Sequence, residues 1–244
     1  MSAGLPAVFA AVDTPDLAAA EALAARLVLP GLGIKLGLEF FCAHGGAGVS
    51  RVAQAAPGAD IFLDLKFHDI PNTVAGAVRA VVPLKPRIIN VHAAGGPAMM
   101  RAAVAAATEA AEKHGVPRPI VLAVTVLTSL DDKDLTAVGQ VGPAEAQVIR
   151  LAQLAQECGM DGVVCSSHEI AAIRAACGAD FVLVVPGIRP AGSATGDQKR
   201  IMTPADAMGA GASSLVVGRP ITQAEDPRKA AQDVVNEATG AVGA

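Results

Sequence analysis

Short apolar runs alternate with longer, Ala-rich stretches along this chain, and the alternation recurs eight times. Residues 7–12, 33–36, 62–66, 87–91, 120–127, 162–165, 181–185 and 214–217 read as short strands, bounded by Gly, Pro and Asp. Between and after them, residues 16–29, 38–56, 71–82, 97–114, 143–158, 169–176, 204–208 and 227–238 carry helical spacing, with a break expected at Gly45-Gly46. Eight strands each followed by a helix predict a single (β/α)8 TIM barrel rather than an open doubly wound sheet. No GxGxxG follows the first strand, which weighs against a dinucleotide fold. The 244 residues match the ~250 typical of one such barrel, and no linker or composition shift marks a second domain, so residues 1–244 are expected to form one unit.

One run departs from the apolar habit. In FLDLKFHDIPNT, residues 62–73, Ile61, Leu63 and Leu65 fall on one side of a strand, and Phe62, Asp64 and Lys66 on the other. Both faces of a parallel barrel strand are covered, so Asp64 and Lys66 are expected to share an enclosed space. His68 and Asp69 follow, and Pro71 suits the first turn of a helix. The structural alternative is an Asp64–Lys66 ion pair with Asp69 capping the helix.

Barrel chemistry collects at the carboxyl ends of the strands. This chain places Asp13, Lys35, Asp64, Lys66, Thr128, Arg189 and Gly218-Arg219 there. Each has an ordinary explanation by itself, as a cap, a turn residue or a surface charge. Together they put many polar groups on one rim of a chain that is 52% hydrophobic. The last two strands are the usual phosphate site of such barrels. The loop at 186–200 is rich in Gly, with one Ser, holds Arg189 and Gln198, and is of a kind that can close over an anion. Gly218 permits close backbone approach, and Arg219 offers a bidentate fork.

Charge and composition narrow the partners. A net charge of −4 and an aromatic content of 2%, with no Trp or Tyr, exclude a nucleic-acid surface built on basic residues and stacked rings. No apolar run approaches the ~20 residues needed to span a bilayer. The N-terminus lacks the basic region of a signal peptide, and Asp13 and Asp16 interrupt its apolar stretch. Cys42, Cys158, Cys165 and Cys177 are dispersed without a CxxC, as expected of reduced thiols in a cytoplasmic protein.

DLKFHDIPNT, Asp13 and Lys35 at strand ends, LTS at 127–129, PGIRP, GDQKR and VGRPI occur here in one order over nearly the whole chain. In this the chain resembles the orotidine 5′-phosphate decarboxylases. The resemblance implies conversion of orotidine 5′-monophosphate to UMP and CO2, the last step of de novo pyrimidine synthesis, without metal or cofactor. It makes Lys66 the proton donor to pyrimidine C6, within an alternating array of Lys35, Asp64, Lys66 and Asp69. It assigns Asp69, Ile70 and Thr73 to a site shared across a homodimer. Asp13 and Lys35 would hold the ribose, Thr128 would lie by the pyrimidine, and Arg189, Gln198, Gly218 and Arg219 would grip base and phosphate. With no Tyr, any hydroxyl contact to the phosphate comes from Ser or Thr.

Two relatives of that barrel are rivals. A metal-assisted 3-keto-L-gulonate 6-phosphate decarboxylase or hexulose-phosphate synthase shares the DxKxxD core but needs a carboxylate near the second strand, where this chain has Lys35, with Glu39 a little beyond. A ribulose-phosphate epimerase needs His and Asp ligands on several strands, which His92 and Asp64 alone do not supply. From a different class, a non-catalytic nucleotide-phosphate binder would use Arg219 and the Gly-rich loop and would have no need of Lys66.

Overall fold

The computed structural model describes residues 4–140, 142–190 and 202–240. Strands β1 (Val8–Ala11), β2 (Leu32–Leu36), β3 (Ile61–Phe67), β4 (Ile88–His92), β5 (Ile120–Val124), β6 (Gly162–Val164), β7 (Val182–Pro186) and β8 (Ser214–Val217) pair in parallel and in sequence order. β1 pairs with β8, which closes the barrel. Helices α1 (Leu17–Arg26), α2 (Leu38–Ala55), α3 (Pro71–Val81), α4 (Gly96–His114), α5 (Asp132–Ala137), α6 (Ala144–Glu157), α7 (Ile170–Cys177), α8 (Pro204–Gly209), α9 (Arg219–Thr222) and α10 (Pro227–Thr239) occupy the connections and follow the last strand. This is the expected TIM barrel.

The outward strand residues, such as Ile34, Leu63, Ile89 and Val121, pack against apolar helix stripes. In α4 that stripe is Met99, Met100, Ala103, Ala106, Ala107 and Ala110, at helical spacing and fully buried or nearly so. Inside the barrel, Phe9, Phe62, Ile88, Leu122, Val182, Val184 and Val216 build a separate apolar floor. Phe9 and Phe62 meet edge to face with centroids 5.7 Å apart. Gly33 makes room for this: a Cβ there would stand 2.4 Å from the Phe9 ring. Burial of one such ring is worth about 1.5–3 kcal/mol.

That floor sets the height of the polar chemistry. One inward step along β2, β3 and β4 replaces Gly33, Phe62 and Ile88 with Lys35, Asp64 and Asn90. The charges therefore begin directly above packed hydrocarbon, toward the carboxyl ends of the strands.

Several local features differ from the sequence expectation. β5 ends at Val124 rather than at 127. Thr125 leaves the ladder with its backbone N–H and hydroxyl both donated to the Val164 carbonyl, at 3.3 and 3.1 Å. Helix α5 was not anticipated; it starts from a reciprocal capping box between Asp131 and Asp134. Helix α9 also was not anticipated and has Pro220 in its first turn. In α2 the expected break falls at Gly45, where φ is +57°. Among the described residues no helix is long and apolar enough to cross a membrane, and all four cysteines are free thiols.

Candidate active site

Four side chains from the first three strands form a continuous line of alternating charge at the barrel mouth. Asp13, just beyond β1, faces Lys35 on β2 with Oδ1 to Nζ at 3.3 Å. Lys35 Nζ also lies 3.3 Å from Asp64 Oδ2 on β3. The other oxygen of Asp64 accepts a hydrogen bond from Lys66 Nζ at 2.6 Å. Asp64 is thus flanked by both ammonium groups. Side-chain exposure is lowest in the middle of the line, 8% at Lys35 and 13% at Asp64, and higher at its ends, 49% at Asp13 and 28% at Lys66.

Burial pushes the Asp64 carboxyl up, but Lys35, Lys66 and the hydrogen bonds from Lys66 and Asn90 outweigh it and hold the group below the usual carboxylate range. Asp64 is therefore an anion at neutral pH. Nearby, His92 is pushed down by burial and then by the charges of His68 and Lys66, so it is a neutral imidazole. Its ring centroid lies 5.4 Å from that of His68.

Lys66 does not reach Asp64 by simple strand alternation. Its φ is +48°, a left-handed conformation uncommon for a side chain of this size. The cause is a break in register. β3 advances four residues, from Leu63 to Phe67, where β4 advances two, from Ile89 to Val91. Such a conformation costs of order 1–3 kcal/mol and persists only where the surroundings impose it. Here the Lys66 backbone N–H is received by the side chain of Asn90 Oδ1 at 2.8 Å.

Asn90 was missed in the sequence reading. It sits on β4 with no exposed surface, and its Nδ2 donates to Asp64 Oδ1 at 2.7 Å. Its signal in the sequence is weak: one polar letter in the apolar run IINVH, two positions before His92. Gly37 was missed too. A Cβ there would meet Asp13 Oδ1 at 2.7 Å and Lys35 Nζ at 3.3 Å, so a side chain at this position would have to displace the Asp13 carboxylate.

The other described residues predicted for the site lie at strand ends, in the segments after them and on the first turn of α3. Asp69 is exposed and accepts the Ile70 backbone N–H at 2.6 Å. It does not cap α3, whose N-cap is Ile70 with no side-chain cap bond. Ile70 is 66% exposed, and Thr73 is exposed on the first turn of α3. Thr128 is exposed in the segment after β5. Arg189 is buried beyond β7, and its Nε lacks a hydrogen-bond partner among the described residues. Gly218 and Arg219 follow β8, with Arg219 exposed. Among the described residues, a Cβ at Gly218 would meet only the Ala11 Cβ, at 3.7 Å, an ordinary van der Waals contact. Gln198 lies outside the described residues.

Among the described residues no group of three His, Cys, Asp or Glu side chains converges so as to hold a metal ion. The line of charge offers something different. It is a partly exposed cation held against a largely buried anion, with a second cation behind it.

The model of the orotidine 5′-phosphate decarboxylase / HUMPS family matches residues 6–234. The chain is 55% identical over 233 residues to the orotidine 5′-phosphate decarboxylase of Rhodospirillum rubrum, covering 96% of this chain and 94% of that one. It is 55% identical over 231 residues to the enzyme of the same name from Moorella thermoacetica, covering 94% and 91%. The crystal structure of orotidine 5′-phosphate decarboxylase from Lactobacillus acidophilus superposes with a TM-score of 0.83 at 36% identity, over 96% of this chain and 99% of that one. The barrel, its line of alternating charge and these matches agree: the chain belongs to the orotidine 5′-phosphate decarboxylase / HUMPS family.

Proposed function

We propose that this chain decarboxylates orotidine 5′-monophosphate to UMP and CO2, without metal or cofactor, as a cytoplasmic homodimer. The observation that carries the reading is the Lys66 ammonium, fixed by Asp64 at 2.6 Å on a strained backbone at the barrel mouth. The names of the relatives at 55% identity supply the substrate.

The chemistry needs a placed cation. When the bond from C6 to the carboxylate breaks, CO2 leaves and the electron pair stays on C6, where the ring stabilises it poorly. A fixed positive charge at that carbon lowers the barrier most, because it is oriented before charge develops. Lys66 then delivers a proton from Nζ to C6 and regains one from solvent. Asp64 keeps the amine aimed, and Lys35 faces the far side of Asp64. Asp13 and Lys35 would hold the ribose hydroxyls, Thr128 the pyrimidine side, and Arg189, Gln198, Gly218 and Arg219 the base and phosphate. Phosphate contacts far from C6 supply binding energy for the reacting centre.

Dimerisation is supported by what surrounds the site. Ile70 is 66% exposed and Leu38 is 52% exposed, at the starts of α3 and α2 beside the charged line. Asp69 and Thr73 stand exposed on the same edge. In this reading Asp69, Ile70 and Thr73 complete the site of a second copy. The partner is a small anion rather than a nucleic acid or a membrane, in keeping with a net charge of −4.

The test is Lys66→Ala, assayed by loss of orotidine 5′-monophosphate absorbance and, separately, by UMP binding. Turnover is expected to collapse while UMP still binds. Turnover that survives the substitution removes the proposed role, and parallel loss of both turnover and binding makes Lys66 structural.

A further inference from the structure

Asn90 is a buried polar group at the barrel mouth that no sequence motif announced, and its two bonds have a definite chemical meaning. Its carboxamide is fully buried on β4. The carbonyl end accepts the Lys66 backbone N–H at 2.8 Å, and the amino end donates to Asp64 Oδ1 at 2.7 Å. Asp64 Oδ1 is also the oxygen that receives Lys66 Nζ at 2.6 Å. One side chain thereby holds the lysine by its backbone and the aspartate by its carboxylate.

The register break makes this arrangement necessary. Between Leu63 and Phe67 the β3–β4 ladder is interrupted, and Lys66 turns to φ +48°. A buried N–H without a partner is costly, so the left-handed turn needs a substitute acceptor there. Asn90 Oδ1 is that acceptor. No other uncharged residue of similar length offers both an acceptor for the N–H and a donor for the carboxylate in one rigid plane.

We infer that Asn90 is a positioning residue for decarboxylation, which sets the aim of the Lys66 ammonium by tying the bulged Lys66 backbone to the Asp64 carboxylate. The inference rests on the reading of Lys66 as the proton donor. Asn90 itself meets neither substrate nor reacting atoms in this account. It acts through the angle and distance of the pair it joins, and a misplacement of about 1 Å in such a group can cost roughly 100-fold in rate.

The variants Asn90→Ala and Asn90→Asp separate aim from folding. Asn90→Ala removes both bonds. Asn90→Asp keeps the shape and the acceptor for Lys66 N–H but sets a carboxylate against Asp64 where a donor stood. Two carboxylates sharing one site raise the proton affinity of one of them, and that proton restores the missing donor. The other titratable groups facing this position are Lys35 on β2, Lys66 and His68 on and just after β3, His92 on β4, and Asp13 beyond β1. They are common to the wild type, so each profile is read relative to it.

Steady-state kinetics on orotidine 5′-monophosphate from pH 5.5 to 8, with thermal unfolding of each protein, give the result. Asn90→Ala is expected to lower kcat by about 100-fold with KM within about 3-fold. Asn90→Asp is expected to lose a similar factor at pH 8 and to regain at least about tenfold, relative to wild type, by pH 5.5. Folded Asn90→Ala with wild-type kcat overturns the inference. So do losses that are equal at every pH in both variants and track the folded fraction. Lys66→Ala assayed alongside keeps the two readings apart. If Lys66→Ala is active, the proton-donor reading fails; if it is inactive while Asn90→Ala is not, only the positioning role fails.

Discussion

Replacing Asp64 with Asn removes the one anion that stands between Lys35 and Lys66 while changing the shape of the side chain least. In the wild type each lysine Nζ is within hydrogen-bond or ion-pair range of a different Asp64 oxygen, at 3.3 and 2.6 Å. At about 3 Å and an effective dielectric near 20, each contact is worth roughly 5 kcal/mol before desolvation. Desolvation offsets much of that, and burial is indeed the largest single influence on Asp64. Removing one member of a buried pair typically costs about 3–5 kcal/mol, because the partner charge is stranded. Lys35 retains Asp13 at 3.3 Å and Lys66 is 28% exposed, which places the loss at the low end, about 3 kcal/mol. For a chain of this size that corresponds to a fall of roughly 6–12 °C in Tm. The pH dependence has a definite sign. A folded-state pKa below the unfolded value of ~3.9 contributes stability that is full above that value and is lost as pH falls through the folded one. The Tm difference between wild type and Asp64→Asn should thus be constant from about pH 8 to 5 and shrink below about pH 4. Thermal unfolding followed by circular dichroism, at fixed protein concentration, measures it. A variant as stable as wild type at pH 7.5, or a gap that widens on acidification, refutes the reasoning.

Further outcomes follow from the same geometry. Lys66→Ala and Asp69→Ala homodimers should each be nearly inactive. Equimolar mixing and subunit exchange should restore about a quarter of wild-type activity, since half the dimers then carry one intact site; no recovery contradicts a shared site. Gly37→Ala pushes a Cβ toward Asp13 Oδ1, 2.7 Å away at the end of a half-exposed side chain. The protein should fold with little change in Tm while KM rises about tenfold, the cost of roughly one hydrogen bond to the ribose; an unchanged KM separates Asp13 from substrate binding. Dialysis against EDTA should leave turnover of orotidine 5′-monophosphate unaltered, whereas a loss reversed by Mg2+ would favour the metal-assisted sugar-phosphate decarboxylases.

The charged line was open to sequence reasoning because barrel strands place chemistry where apolar alternation is broken. Lys35 and Asp64 stand at inward positions among Ile, Leu and Phe, and the structure puts them one step above the Phe9–Phe62 floor. Lys66 reaches the same place by another route. Period-two alternation predicted its side, but the left-handed turn and the register break that deliver it depend on pairing with β4, which no local pattern encodes. Asn90 escaped notice for the same reason, since its meaning lies in what Asp64 and Lys66 offer across the strand boundary. Gly37 is invisible without knowing that Asp13 and Lys35 meet beside it. The capping box of α5 was there to be read in DDKD, where Asp131 and Asp134 stand three apart. Asp69, Ile70 and Thr73 are different again. They are exposed in the single chain, and the role proposed for them belongs to a second copy, which no pattern within one chain spells out.

The central claim concerns one distance. In a crystal structure of the protein with UMP bound, Lys66 Nζ should lie within about 3.5 Å of C6, the reach of a near-attack contact, with Asp64 still hydrogen-bonded to it. UMP bound with C6 facing Lys35, or with Lys66 turned away from the ring, would contradict the account.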